Sequence, residues 1–217
     1  MVAVSAMIPD AAIQHLPSRG RLRASVLLLH GYAARAAVHL GDAAPFVDAG
    51  VEVVLPDAPG HGARDDGRLA RIAALSDDER RAEILAIART HADELPGLAA
   101  WCRRRGASRV AVVGISMGGF AALRSLLAQP PFHAIAAVLA APTLVDRWPG
   151  AGAGPPVLLG LAGRDGAVHP EPGRRFARHY GAELHEYPDS EHLMRPEDWA
   201  DLWRRVTAFV RRNLAGG

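Results

Sequence analysis

The stretch Val110-Ala111-Val112-Val113-Gly114-Ile115-Ser116-Met117-Gly118-Gly119 decides how the chain is read. It opens as a continuous apolar run, the pattern of a strand covered on both faces. It then breaks into G-x-S-x-G, and Ser116–Ala128 continues with a helical pattern. A sharp strand-to-helix turn holds its serine in a strained backbone state, at about 1–3 kcal/mol. Gly114 and Gly118 lack side chains, which lets strand and helix approach closely. Such a turn projects the Ser116 hydroxyl outward at a helix start, where the dipole favours negative charge. The Met117 backbone N–H then points where a tetrahedral oxyanion would form. The plain alternative is a glycine-rich turn with an incidental serine. With about one glycine in ten residues, a given serine gains both glycines about one time in a hundred. The strand before and the helix after favour the nucleophile reading.

Working outward, four more apolar runs are bounded by Gly, Pro or Asp: Val26–Leu29, Val51–Leu55, Ile135–Leu139 and Val157–Leu161. Glu183–Tyr187 alternates, which suits a strand near an edge. Helical stretches fill the gaps at Arg35–Ala49, Asp77–Arg105, Gly173–Tyr180 and Pro196–Leu214. In the second, Ile84, Ile87, His91, Leu95, Leu98 and Cys102 share one face, and Pro96 is expected to kink or split the helix. In the last, Pro196 suits the first helical position, and Trp199, Leu202, Val206 and Phe209 recur at helical spacing. This order predicts an α/β fold: a doubly wound, mostly parallel sheet with right-handed crossovers and helices on both faces. No repeat or linker interrupts residues 1–217, so one domain is expected. In such sheets ligands bind beyond the carboxyl ends of the strands, so the residues that follow each run matter most.

After the first run comes His30-Gly31-Tyr32. The Tyr32 backbone N–H is the candidate second oxyanion donor, and its phenol is a candidate for lining a substrate pocket. His30 reads as a residue that braces this loop through hydrogen bonds, since the chemistry needs it as neither nucleophile nor base. After the fifth run comes Gly163-Arg164-Asp165-Gly166-Ala167-Val168-His169-Pro170. Asp165 ends a buried run directly, as the Ser116 strand does, and is the favoured acid for orienting a base histidine. A turn-capping role is its bland reading, and Asp189 and Glu171 are the alternative acids. After Glu183–Tyr187 comes Pro188-Asp189-Ser190-Glu191-His192, a loop ahead of the last helix. His192 is the favoured base. His169 lies close to Asp165 in sequence and His185 lies inside the strand pattern, so both rank behind it. Trp148, Val168 and Leu193 are further candidates for contacting substrate.

All 25 cationic residues are Arg, against 23 acidic ones, for a formal net charge of +2. The run Arg103–Arg105 reads as a solvated helix end rather than a phosphate patch, because no nucleic-acid motif accompanies it. No nucleic-acid partner is expected. Cys102 is the only cysteine, so it forms no intrachain disulfide and reads as a small packed side chain. The ten histidines show no metal-ligand spacing, so no metal is expected. The opening MVAVSAMIPD has no basic lead followed by a long apolar segment, and no run approaches the ~18 residues of a membrane span. A cytoplasmic location without membrane attachment is the corresponding expectation.

At this point the chain resembles the α/β-hydrolase superfamily from about Val26 to its end, and within it small bacterial carboxylesterases related to dienelactone hydrolase and prolyl oligopeptidase. The order Ser116, Asp165, His192 is the family order of nucleophile, acid and histidine. The segment Val51-Glu52-Val53-Val54-Leu55-Pro56-Asp57-Ala58-Pro59-Gly60-His61-Gly62-Ala63-Arg64, the His30-Gly31 pair and the Ser-Met-Gly elbow are similar to those of such esterases. The resemblance implies a serine hydrolase that needs no cofactor and acts on small carboxylic esters of short to medium acyl chains. Dienelactone hydrolases carry cysteine at the elbow, and Ser116 departs from that. Only Thr143–Pro156, rich in Gly and Pro, stands where the family often places a cap, so the expected cap is minimal or absent. Asp65–Ala82 is either a cover for the site or the start of the long crossover helix. The family's opening hairpin is shortened, with room for one or two strands before Val26. Thioesters and amides suit the same residues, and a hydrolase-like binding module is the non-enzymatic alternative.

Overall fold

The structure, a computed structural model, describes residues 8–18, 24–128, 132–145, 148, 150 and 152–215. In chain order the elements are β1 (Ile13–Leu16), β2 (Ala24–Leu29), α1 (Leu40–Asp48), β3 (Glu52–Pro56), α2 (Arg68–Ala73), α3 (Asp77–Arg104), β4 (Arg109–Ile115), α4 (Met117–Arg124), β5 (Ala134–Val138), β6 (Val157–Ala162), α5 (Pro170–Tyr180), β7 (Glu183–Tyr187) and α6 (Pro196–Leu214). The seven strands form one sheet in the order β1-β3-β2-β4-β5-β6-β7. Only β1 runs antiparallel, pairing Ile13 with Pro56 and Leu16 with Val53 on β3. It is the one described strand of the shortened opening; residues 1–7 lie outside the described residues.

The apolar runs become central strands because helices cover both sheet faces. β2, β5 and β6 are buried at every position. Alternate residues then feed two cores. Leu27, Leu29, Val112, Ile135 and Leu159 pack with α3, α4 and α5. Val26, Leu28, Val53, Val113 and Leu158 pack with Phe46 of α1 and with Leu202, Val206 and Phe209 of α6. β7 occupies the far edge, half-buried throughout, with Glu183 paired to Arg212 and Glu186 paired to Arg174.

Of the kink or split expected at Pro96, the split does not occur: helix α3 runs unbroken from Asp77 to Arg104. A proline inside a helix costs about 3 kcal/mol. Buried Ala92 and Leu95 on one side of it, and Leu98, Ala99 and Cys102 on the other, seat the helix against the sheet and offset that penalty. The helix is capped by reciprocal contacts, with the Ser76 amide donating to Glu79 Oε2 at 3.0 Å. Arg103 and Arg104 fall in its last turn, and the Arg105 guanidinium lies 4.7 Å over the Trp101 ring. Between β5 and β6 no helix is found among the described residues, so no cap is evident there. The stretch 65–82 resolves into the short helix α2 and the first turn of α3. Among the described residues, no helix is long and apolar enough to cross a membrane.

Candidate active site

The carboxyl ends of β2, β4, β6 and β7 each deliver one loop to the same cleft. Ser116 sits between β4 and α4 with φ 52° and ψ −114°, a left-handed conformation unfavourable for any residue with a Cβ. Its amide donates to Val138 O at 2.8 Å, which ties the turn to β5. Two glycines make the turn possible. A Cβ on Gly114 would lie 2.1 Å from the Gly118 carbonyl oxygen, and one on Gly118 would lie 2.5 Å from the Leu29 carbonyl oxygen. Strand, helix and the neighbouring strand are thus in backbone contact, and only glycine fits between them.

The three residues favoured from sequence meet. Ser116 Oγ and His192 Nε2 are 3.0 Å apart, and His192 Nδ1 lies 2.7 Å from Asp165 Oδ2. Asp165 is buried, and its other oxygen accepts the amides of Ala167 at 2.9 Å and Val168 at 2.7 Å. The His192 loop is pinned beside it: Gly163 N–H donates to Tyr187 O, Arg164 N–H donates to Ser190 O, and Ser190 Oγ donates to Asp198 Oδ2 at 2.6 Å. The alternative residues lie elsewhere. Asp189 pairs with Arg164 at the surface, Glu171 pairs with Arg174 and Arg178, His169 precedes the first turn of α5, and His185 pairs with Glu183 on β7.

The β2 loop lies against the elbow, since a Cβ on Gly31 would come within 3.6 Å of Ser116 Cβ. No acceptor for the Tyr32 N–H is found among the described residues, and Met117 N–H opens α4 ahead of that helix's hydrogen-bond ladder. His30 braces the loop as expected: Nδ1 donates to Gly31 O at 2.8 Å and Nε2 accepts the Ala58 N–H at 2.9 Å. Burial pushes its pKa down to about 4, so the ring is neutral at pH 7 and free to accept. The Asp57 carboxylate ties the β2 and β3 loops together, accepting the amides of Ala36 at 2.7 Å and Ala63 at 2.9 Å.

The cleft has a volume of about 860 Å³. Tyr32, Val168 and Leu193 line it, as the sequence suggests. Trp148 does not. Its ring packs edge-on against Phe176 at 5.3 Å and tilted against His179 at 5.7 Å, because the apolar side of α5 offers it a partly buried seat. Sequence reasoning missed the opposite wall, built by Arg81, Ile84 and Leu85 of α3, and Phe120, Leu139 and Trp199 around the serine. Ile84 and Trp199 were visible only as members of helical stripes. Trp199 also donates from Nε1 to Asp42 at 3.2 Å and stacks on Trp203, which fixes that wall. No cluster of three or more His, Cys, Asp or Glu able to hold a metal ion is found among the described residues.

A buried carboxylate, an imidazole and a hydroxyl in line at the mouth of a doubly wound sheet define a hydrolase architecture. The chain belongs to the Alpha/beta hydrolase family, whose sequence profile matches residues 26–216. No curated protein matches it in sequence. Solved structures share its fold over nearly their full lengths. Esterase PE8 is 24% identical, with 92% of this chain and 97% of that chain covered at a TM-score of 0.69. TT1662 from Thermus thermophilus is 18% identical, with 94% of each chain covered at 0.72. XC6422 from Xanthomonas campestris, described as a serine hydrolase without lid, is 19% identical, with 94% and 90% covered at 0.65. At these identities the likeness carries the fold.

Proposed function

We propose that this hydrolase cleaves carboxylic esters through a serine acyl-enzyme. The observation that carries the reading is the relay Asp165–His192–Ser116, closed at 2.7 and 3.0 Å. His192 Nε2 takes the Ser116 proton as Oγ attacks the ester carbonyl carbon. The amides of Tyr32 and Met117 hold the resulting oxyanion. Asp165 keeps the imidazole oriented and stabilises its cationic form. The C–O bond to the alcohol then breaks, and His192 returns the proton to the leaving oxygen. Water, deprotonated by the same imidazole, attacks the acyl-serine; the C–Oγ bond breaks, His192 returns the proton to Ser116 Oγ, and the acid leaves.

The walls support a small ester with an apolar acyl group. Ile84, Leu85, Phe120, Leu139 and Val168 supply apolar surface, and charged residues stand at the rim. The cleft volume falls within the range of small-molecule sites, in keeping with short to medium acyl chains. No metal or cofactor enters the proposed steps, and the chemistry is compatible with a cytoplasmic setting.

The test is hydrolysis of p-nitrophenyl esters from acetate to decanoate, with labelling by a fluorophosphonate. The wild type should label at Ser116 and hydrolyse the series, and Ser116→Ala should lose both while keeping its thermal midpoint. Turnover that survives in Ser116→Ala would refute the nucleophile assignment. Folded wild type that neither labels nor turns over would leave a binding module as the better reading, and preference for acyl-CoA or peptide substrates would move the assignment to thioester or amide hydrolysis.

A further inference from the structure

Behind the Tyr32 loop lies a layer of imidazoles that the proposed reaction does not use. His30, His61 and His91 are all buried, with ring centroids 5.2 Å apart for the first pair and 6.5 Å apart for His30 and His91. His61 is the member that reaches the loop beyond Gly31. Its Nε2 accepts the Ala33 N–H at 3.1 Å, its Nδ1 donates to Pro59 O at 2.9 Å, and its ring stands edge-on to Tyr32 at 5.8 Å. A nitrogen that accepts carries no proton, so this arrangement requires the neutral ring.

The residue it holds is unusual. Ala33 has φ 57°, and the only other non-glycine residues with positive φ among those described are Ser116 and Leu139, both on the cleft. An alanine persists there only where its surroundings impose it. Two contacts do so: the Ala33 N–H to His61, and Ala34 N–H to Gly31 O at 3.3 Å. Together they fix the peptide planes on either side of Tyr32, whose own N–H finds no acceptor among the described residues.

We propose that His61 is a positioning residue: its unprotonated Nε2 locks Ala33 in the left-handed state and so aims the Tyr32 N–H at the oxyanion formed during attack by Ser116. This rests on the reading of the protein as a serine hydrolase. The surroundings keep the ring neutral. Burial is the main influence, and it lowers the His61 pKa. The groups facing it are Asp57 from the loop after β3, Arg68 from α2, His91 from α3 and His30 from the loop after β2. His61 does not touch the reacting atoms, so its removal should impair the transition state more than substrate binding.

The experiment compares His61→Gln, His61→Phe and His61→Leu for kcat and KM on a p-nitrophenyl ester, with thermal melts and fluorophosphonate labelling of the wild type. Phe and Leu fill space but offer no acceptor. They should lose about tenfold to a hundredfold in kcat with KM little changed. Gln, whose side-chain oxygen can take the Ala33 N–H, should stay close to wild type. Wild-type kcat in a folded Phe or Leu variant, a loss confined to KM, or a Gln variant as impaired as Phe would each overturn the proposal. So would failure of all three to fold, which would mark His61 as a packing residue only. Wild-type protein that fails to label overturns the hydrolase reading along with this one. Labelling of the wild type with indifferent His61 variants sinks this one alone.

Discussion

Asp165 and His192 stand 27 positions apart and meet at 2.7 Å, with the two oxygens of the carboxylate divided between two tasks. Oδ2 faces the imidazole, and Oδ1 closes the turn that carries Ala167 and Val168. Orientation of the base and shape of the adjoining cleft wall therefore depend on the same buried side chain.

Asp165→Asn should leave the turn largely intact, because an amide oxygen can still accept the Ala167 and Val168 N–H groups. Its NH2 would face His192 Nδ1 and favour the wrong tautomer. We expect kcat for ester hydrolysis to fall by up to about 10⁴-fold, with a melting temperature near that of the wild type. Steady-state kinetics beside a thermal melt checks both halves.

Gly118→Ala should act in the opposite manner, through the fold. The new methyl would sit 2.5 Å from the Leu29 carbonyl oxygen and 2.7 Å from that of His30, both backbone atoms with little room to yield. Overpacking of this kind costs about 1–3 kcal/mol. The melting temperature should drop by several degrees, and activity should fall because the β2 loop is pushed from Ser116. An unchanged melting curve would contradict the close approach.

Stability should decline on mild acidification. His30 has its pKa pushed down to about 4 by burial, against 6.5 in the unfolded chain. The unfolded state therefore binds its proton first as pH falls. The stabilisation is complete above about pH 6.5, erodes below it and is lost once pH passes through about 4, with a span of about 3 kcal/mol. His61 shifts in the same direction. Urea midpoints measured from pH 7.5 to 4.5 should fall, and His30→Gln should flatten part of that slope.

Cys102 should be silent to thiol reagents in the native state. It is fully buried, and desolvation pushes its thiol up to about 12. Ellman's reagent should find no reactive thiol in folded protein at pH 8 and one after unfolding in guanidinium.

The sequence made the sheet and the three site residues legible for one physical reason. Buried parallel strands are uninterrupted apolar runs, and the reactive groups follow them directly, as Ser116 and Asp165 do. β7 and α6 were bounded as found, since an alternating run and a proline at the first helical turn mark their limits. Less was legible where distant segments pack. Trp148 looked like a substrate-contacting residue, but the apolar side of α5 captures its ring. Leu85 and Phe120 join the cleft only through the way α3 and α4 pack, which no local pattern encodes. The Asp57–Ala36 and His61–Ala33 contacts are likewise long-range, with partners 21 and 28 positions away.

The ion pairs on β7 matter for more than local stability. A sheet that ends in an open strand presents unpaired amides and carbonyls to any other extended chain. Here a second molecule's strand could hydrogen-bond to that rail only by stripping water from Glu183 and Glu186 and displacing the arginines that cover them. The edge is thereby guarded against templating fibrous stacks of the protein.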